Sequence, residues 1–247
     1  MVLVVVAALA VLVGATLQRV SGTGVGLVVA PTLSLLLGAS QGVLVTNAVT
    51  VVSGFVIMLT VLPRIDWDSF RWIITAALPG AVTGAWLVHA LPAAWLQLVV
   101  GLVVLLALLT SLTLPELPRL GGRLPMLAAG LVGGLFNTTA GVAAPAMVVY
   151  ARLSRWEQER FAATVQPTFM TMGALSVALK TATAPQGLSG LPPWWVLPAV
   201  VVDVLLGVWL GTRLSRHVPA GRARTLALCL AGIGGALAVA KGVLGLV

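Results

Sequence analysis

The sequence stays apolar for 11 to 22 residues at a time. Ten such stretches fall at 2–18, 25–38, 43–62, 70–90, 94–114, 124–136, 141–151, 161–182, 194–212 and 225–246. A continuous apolar run has no polar face to turn toward water, so a chain built from such runs folds in a bilayer. Membrane barrels need alternating apolar and polar residues. These runs do not alternate, so the spans are helices. Composition agrees: 8% of residues are charged and 60% hydrophobic, against roughly 25% charged in a soluble domain. The expected fold class is an all-α polytopic membrane protein.

The net charge is +8. No basic patch is interleaved with stacking aromatics, so nucleic acid is not an expected partner. The cations gather in loops instead: Arg64 and Arg71; Arg119 and Arg123; Arg152, Arg155 and Arg160; Arg213, Arg216, Arg222 and Arg224. Alternating crossings put these loops and the turn at Arg19 on one side. Cytoplasmic loops carry the excess of Lys and Arg, so that side is expected to be cytoplasmic and both termini outside. The first ten residues lack a basic n-region and are expected to belong to the first span rather than to a cleaved signal. Cys229 is the sole cysteine, so no intrachain disulfide or cysteine metal site is expected. Nothing calls for a cofactor.

The stretch "PELPRLGGRLP" (115–125) interrupts the hydrophobic pattern. Its prolines, glycines and charges mark a linker, taken as 115–123, between a first transmembrane repeat (1–114) and a second (124–247). The two sides resemble each other. "GLVVAPTLSLLL" aligns with "AGVAAPAMVVYA", matching Pro31 to Pro145. "TNAVTVVSG" aligns with "TVQPTFMTMG", and "GAWL" (84–87) with "GVWL" (207–210). Five segments per repeat, an odd number, would invert one half relative to the other. Inverted repeats are a transporter architecture with the site near mid-membrane.

Residues 124–152 are too few for two spans of about 20 residues each. The expectation is a chain that enters, breaks at "NTTAG" and turns back, with a matching break at "SGTGVG" (21–26). Irregular backbone at membrane depth is tolerated only against protein or a wet cavity. Pro31 and Pro145 would sit in the first turn of each returning helix, where a missing N–H costs nothing. Each tip would then present free N–H groups and the positive end of a helix dipole, and two facing tips would hold an oxyanion. Candidate substrate-binding residues are Ser21, Gly22, Thr23, Gly24, Asn137, Thr138 and Thr139. The alternative is that the glycines only let helices pack closely.

A glycine-rich turn leading to an apolar pair and Pro, a leucine run ending in Gly, then a helix bearing Thr, Asn and Ser, all repeated once, resembles the TauE/SafE sulfite exporter family. The likeness covers nearly the whole chain. The family's usual run of consecutive glycines is replaced here by "GTGVG" and "TTAGVAAP". The resemblance implies a bacterial or archaeal inner-membrane permease for small sulfur oxyanions: sulfite, sulfoacetate or related organosulfonates.

Further polar residues lie within the spans. Asn47 and Thr50 share a helix face, and Gln166 and Thr168 occupy the matching region of the second repeat. Threonine hydroxyls either face the cavity or bond their own helix carbonyls. The amides of Asn47 and Gln166 either bond substrate or hold the tips. Arg19 either snorkels to the interface or contacts the anion. Asp203 is a mid-span carboxylate, a candidate proton carrier or partner of Lys180. Trp67, Trp72, Trp95, Trp156, Trp194 and Trp195 lie near segment ends and read as interface anchors.

The expected function is a secondary transporter exporting a small sulfur oxyanion, with the lipid bilayer as surroundings and a proton as candidate coupling ion. The alternative is an anion channel, or a permease for another small anion such as a carboxylate. His89, Asp203 and Ser53 form no triad-like grouping and no HExxH occurs, so an enzyme is not expected. The sequence leaves the oligomeric state open.

Overall fold

A computed structural model describes residues 2–113, 119–183 and 196–246. Trp194, Trp195 and part of the linker lie outside them. The described residues form ten helices: α1 (Val2–Ser21), α2 (Val25–Leu37), α3 (Ala39–Val61), α4 (Trp67–Ala90), α5 (Ala93–Thr113), α6 (Arg123–Ala140), α7 (Ala144–Ser154), α8 (Gln158–Thr183), α9 (Val196–Leu214) and α10 (Ala220–Leu244). Six are long and apolar enough to cross a membrane. The 13 residues of α2 reach only about 20 Å at 1.5 Å per residue, short of a hydrocarbon core roughly 30 Å thick. The 11 residues of α7 reach less.

Apolar surface alone does not drive helices together in lipid, so close backbone approach has to. Glycines supply it. Gly80 packs on the Leu131 carbonyl, Gly130 on that of Ile73 and Gly134 on that of Ala77, which seats α4 against α6. A Cβ on Gly207 would stand 2.8 Å from the Leu12 oxygen, and one on Gly211 2.7 Å from the Thr16 oxygen, which seats α9 against α1. The glycines in like positions are thus Gly80 with Gly207 and Gly84 with Gly211. That register lies four residues from the GAWL–GVWL alignment, because backbone contact, not the following Trp, fixes the position.

The basic loops gather at one end of the bundle. Arg64 pairs with Glu159 at 2.8 Å. The Leu120 N–H donates to the Leu153 carbonyl at 3.0 Å. Arg123 lies over the Trp72 ring at 4.4 Å. At the same end Asp66 caps α4, accepting from the Ser69 N–H at 3.1 Å, and its own N–H donates to the Thr164 hydroxyl at 2.9 Å. Trp156, half-buried, packs edge-on between Tyr150 and Phe161.

Overpacking a close helix contact costs about 1–3 kcal/mol. Gly134→Leu is therefore expected to lower the thermal unfolding midpoint of the purified protein by several degrees. Gly121→Ala, which meets nothing within 4 Å, is expected to leave it unchanged.

Candidate functional site: two opposed helix breaks

Each break occupies three residues, 22–24 and 141–143. Gly22 (φ 83°) and Gly141 (φ 74°) take the left-handed conformation that ends α1 and α6, which glycine adopts without steric cost. The expected break at "NTTAG" is corrected on this point. Asn137, Thr138, Thr139 and Ala140 form the last turn of α6, because the Gly141 N–H still bonds the Asn137 carbonyl at 2.9 Å. Pro145 does stand in the first turn of α7. Pro31 does not stand at the matching tip: α2 starts at Val25, directly after the glycines, so Pro31 falls inside it. Its ring packs where a Cβ on Gly234 of α10 would come within 3.0 Å.

Four side-chain amides hold the breaks. Gln18 Nε2 donates to Gln166 Oε1 at 2.9 Å, and Gln166 Nε2 donates to the Gly22 carbonyl at 3.1 Å. On the other side Asn137 Nδ2 donates to Asn47 Oδ1 at 2.9 Å. Asn47 Nδ2 donates to the Asn137 carbonyl at 3.1 Å and to Ser176 Oγ at 2.9 Å. All four amides are buried. Asn47 and Gln166 therefore hold the tips. Gln18 and Asn137, Asn47 and Gln166, Gly22 and Gly141, and Gly54 and Gly173 are each separated by 119 positions. The last pair repeats the pattern in packing: Gly54 abuts the Gln166 carbonyl and Gly173 that of Asn47, each with 2.9 Å for an added Cβ.

The two tips touch. A Cβ on Gly26 would come within 2.7 Å of the Gly141 oxygen. Between them lies a cavity of about 20 Å³ lined by Thr23 to Leu27, Gly141 to Ala144, Gln18, Thr50, Asn137 and Phe169. That is room for about one water. The first intrahelical bond of α2 runs from the Val28 N–H to the Gly24 carbonyl. The amides of Val25, Gly26 and Leu27 precede it and have no helical partner. Likewise the Met147 N–H bonds the Ala143 carbonyl, leaving those of Ala144 and Ala146. Two positive helix ends thus face one small space, with no carboxylate among its lining residues.

Of the residues expected at the site, Thr23, Gly24, Thr50 and Asn137 line this cavity. The Ser21 hydroxyl lies 2.8 and 2.7 Å from the Leu17 and Thr23 carbonyls and donates its one proton to either. Thr50, Thr139 and Thr168 bond carbonyls four residues back on their own helices. Thr138 is fully buried, its hydroxyl without a hydrogen-bond partner. Arg19 Nε donates to Thr212 Oγ1 of α9 at 3.0 Å and does not line the cavity. Asp203 lines a separate, largely apolar cleft of about 850 Å³ among α1, α2, α3 and α9. It does not pair with Lys180, whose buried Nζ has no hydrogen-bond partner. His89 is exposed and shares a 2.7 Å hydrogen bond with Thr183.

Gln18 and Phe169 add to the residues expected at the site, and the free N–H groups expected at the first tip belong to Val25 to Leu27 rather than to a turn at Pro31. Gln18 had a signal: it precedes Gly22 by four residues, as Asn137 precedes Gly141. No group of three or more His, Cys, Asp or Glu fit to hold a metal occurs among the described residues.

A family model described as Sulfite exporter TauE/SafE matches residues 6–238. No curated protein and no solved structure matches the chain.

Interhelical side-chain bonds in membranes contribute about 0.6 kcal/mol on average, reaching about 1.7. A double-mutant cycle with Asn47→Ala and Asn137→Ala is expected to give a coupling in that range, measured by unfolding in mixed micelles. Additive effects would mean that the two amides do not bond.

Proposed function

The chain belongs to the Sulfite exporter TauE/SafE family, whose members transport sulfur anions across membranes, and on that premise we propose a secondary transporter that exports sulfite, sulfoacetate or a related organosulfonate. The observation that carries this reading is the pair of helix N-termini facing one cavity whose lining contains no acidic side chain. Backbone N–H groups at a helix start bind oxyanions without a dedicated cation. They suit a sulfonate or sulfite head, whose oxygens accept from several directions.

Export fits the energetics. A potential negative inside drives an anion outward by roughly 2.3 kcal/mol per charge per 100 mV. The gathering of arginines at one end of the bundle supports a cytoplasmic assignment for that end, with both termini outside and the protein in the inner membrane. The contacts that recur at a spacing of 119 residues support two inverted repeats, 1–114 and 124–247. Alternating access then rocks one repeat against the other around the tips. A central space of about 20 Å³ supports a carrier caught closed at its centre rather than a standing pore.

Thr23 is the residue assigned to first contact. It belongs to a tip, lines the cavity, and lies outside both helices. A hydrogen bond to a charged group contributes about 1.5–3 kcal/mol, so Thr23→Val is expected to weaken anion binding about tenfold or more with the fold intact. The function itself is tested by uptake of labelled sulfite and sulfoacetate into inside-out vesicles. Saturable uptake driven by an imposed potential is expected. Failure of both anions to enter overturns the substrate assignment, and flux that never saturates favours a channel.

A further inference from the structure

A second cavity, of about 100 Å³, adjoins the first through Thr23, Leu27 and Ala144, which line both. It is the more polar of the two. Ser21, Ser111 and Gln158 contribute neutral polar groups, and Arg152 and Arg224 contribute guanidinium groups. Arg152 ends α7 and Arg224 opens α10, so two helices from the second half bring their cations to one opening. Both side chains line the same cavity. Neither is ion-paired among the described residues. The carboxylates flanking Gln158 are engaged elsewhere: Glu159 pairs with Arg64 at 2.8 Å and Glu157 lies 3.8 Å from Arg160. No acidic residue lines the cavity.

Arg152 is exposed at the rim and Arg224 lies deeper, and two cations lining one opening with no carboxylate between them favour a counter-anion there. A surface pair of arginines ordinarily finds a carboxylate or points into bulk water. Here Arg224 is half-buried and the space between the pair leads to the tips. We infer that this cavity is the loading vestibule of the transport path, in which Arg152 and Arg224 together bind a doubly charged anion before it reaches the helix breaks. The inference rests on the transporter reading for its direction of travel. It adds a specificity rule: a dianion, with one charged group for each guanidinium, is held there in preference to a monoanion. The tips alone supply no such preference, because unpaired N–H groups donate to any oxyanion.

The test uses the full chain in detergent and in vesicles, with sulfoacetate as dianion and methanesulfonate as monoanion. For the wild type, thermal stabilisation by sulfoacetate is expected at concentrations about tenfold below those needed for methanesulfonate. Arg152→Gln and Arg224→Gln are each expected to raise the half-saturating sulfoacetate concentration about tenfold, shifting that of methanesulfonate by twofold or less. The double lysine variant keeps both charges and is expected to retain the dianion preference. That separates lost charge from lost packing, even should a glutamine variant fold poorly.

Equal effects on both anions, or none on either, overturn the vestibule. So does a lysine pair that loses the preference while remaining folded. An anionic lipid headgroup offers the same chemistry. Arginine-dependent stabilisation by phosphatidylglycerol but not by sulfoacetate therefore overturns the assignment to a soluble anion. Transport is scored separately. A wild type that binds the dianion through the arginines yet moves neither anion leaves the vestibule standing and removes the exporter reading.

Discussion

Everything in this bundle depends on satisfying two stretches of broken backbone inside the bilayer. An unbonded carbonyl or N–H in hydrocarbon costs several kcal/mol. Side-chain amides brace both breaks: Gln166 reaches the Gly22 oxygen, and Asn47 the Asn137 oxygen that also ends the α6 ladder. Each reaching amide is itself held by another, Gln18 or Asn137, so neither can turn away. The N–H groups at the starts of α2 and α7 are not closed off in this way. They face the cavity instead. Amide side chains thus brace the carbonyls beside each break, while the first N–H groups of α2 and α7 have no helical partner.

The bonding pattern crosses the linker. The break after α1 is held from α8, and the break after α6 from α3. Gly26 and Gly141 meet where the two tips approach. The centre is therefore shared between the two parts of the chain. In the proposed alternating access, movement of one part past the other would strain the same contacts that shape the site. Glycine contacts permit this arrangement by letting α4 lie on α6, and α9 on α1, with backbones nearly touching. Larger side chains at Gly80, Gly134 or Gly207 would move the helices that carry the tips.

Much of this was legible in the chain itself. The apolar stretches place all ten helices to within a few residues, because each helix in lipid must advertise its full length as hydrophobic sequence. The two short arms were legible for the same reason. The precise break points were less so. "NTTAG" looks like a turn by composition, yet four of its residues complete a helical turn, since a helix continues as long as its carbonyls find N–H partners and only Gly141 departs. Threonine is ambiguous in the same way: Thr50 and Thr168 spend their hydroxyls on their own helices, an interaction with no sequence signature distinct from ligand binding. Gln18 is legible only through its spacing, four residues before Gly22 as Asn137 is before Gly141, and that spacing acquires meaning once both glycines end helices.

What the sequence determined by itself is the solvent: a chain so continuously apolar has only helices, only a bilayer and only a few places where the backbone is allowed to break. Which polar groups meet at those breaks was decided by tertiary structure. The partners Gln18 and Gln166, Asn47 and Asn137, Arg152 and Arg224 lie far apart along the chain. Hydrogen bonds and charge proximity act over a few ångströms of space, and distance along the sequence gives no measure of that space until the helices have packed.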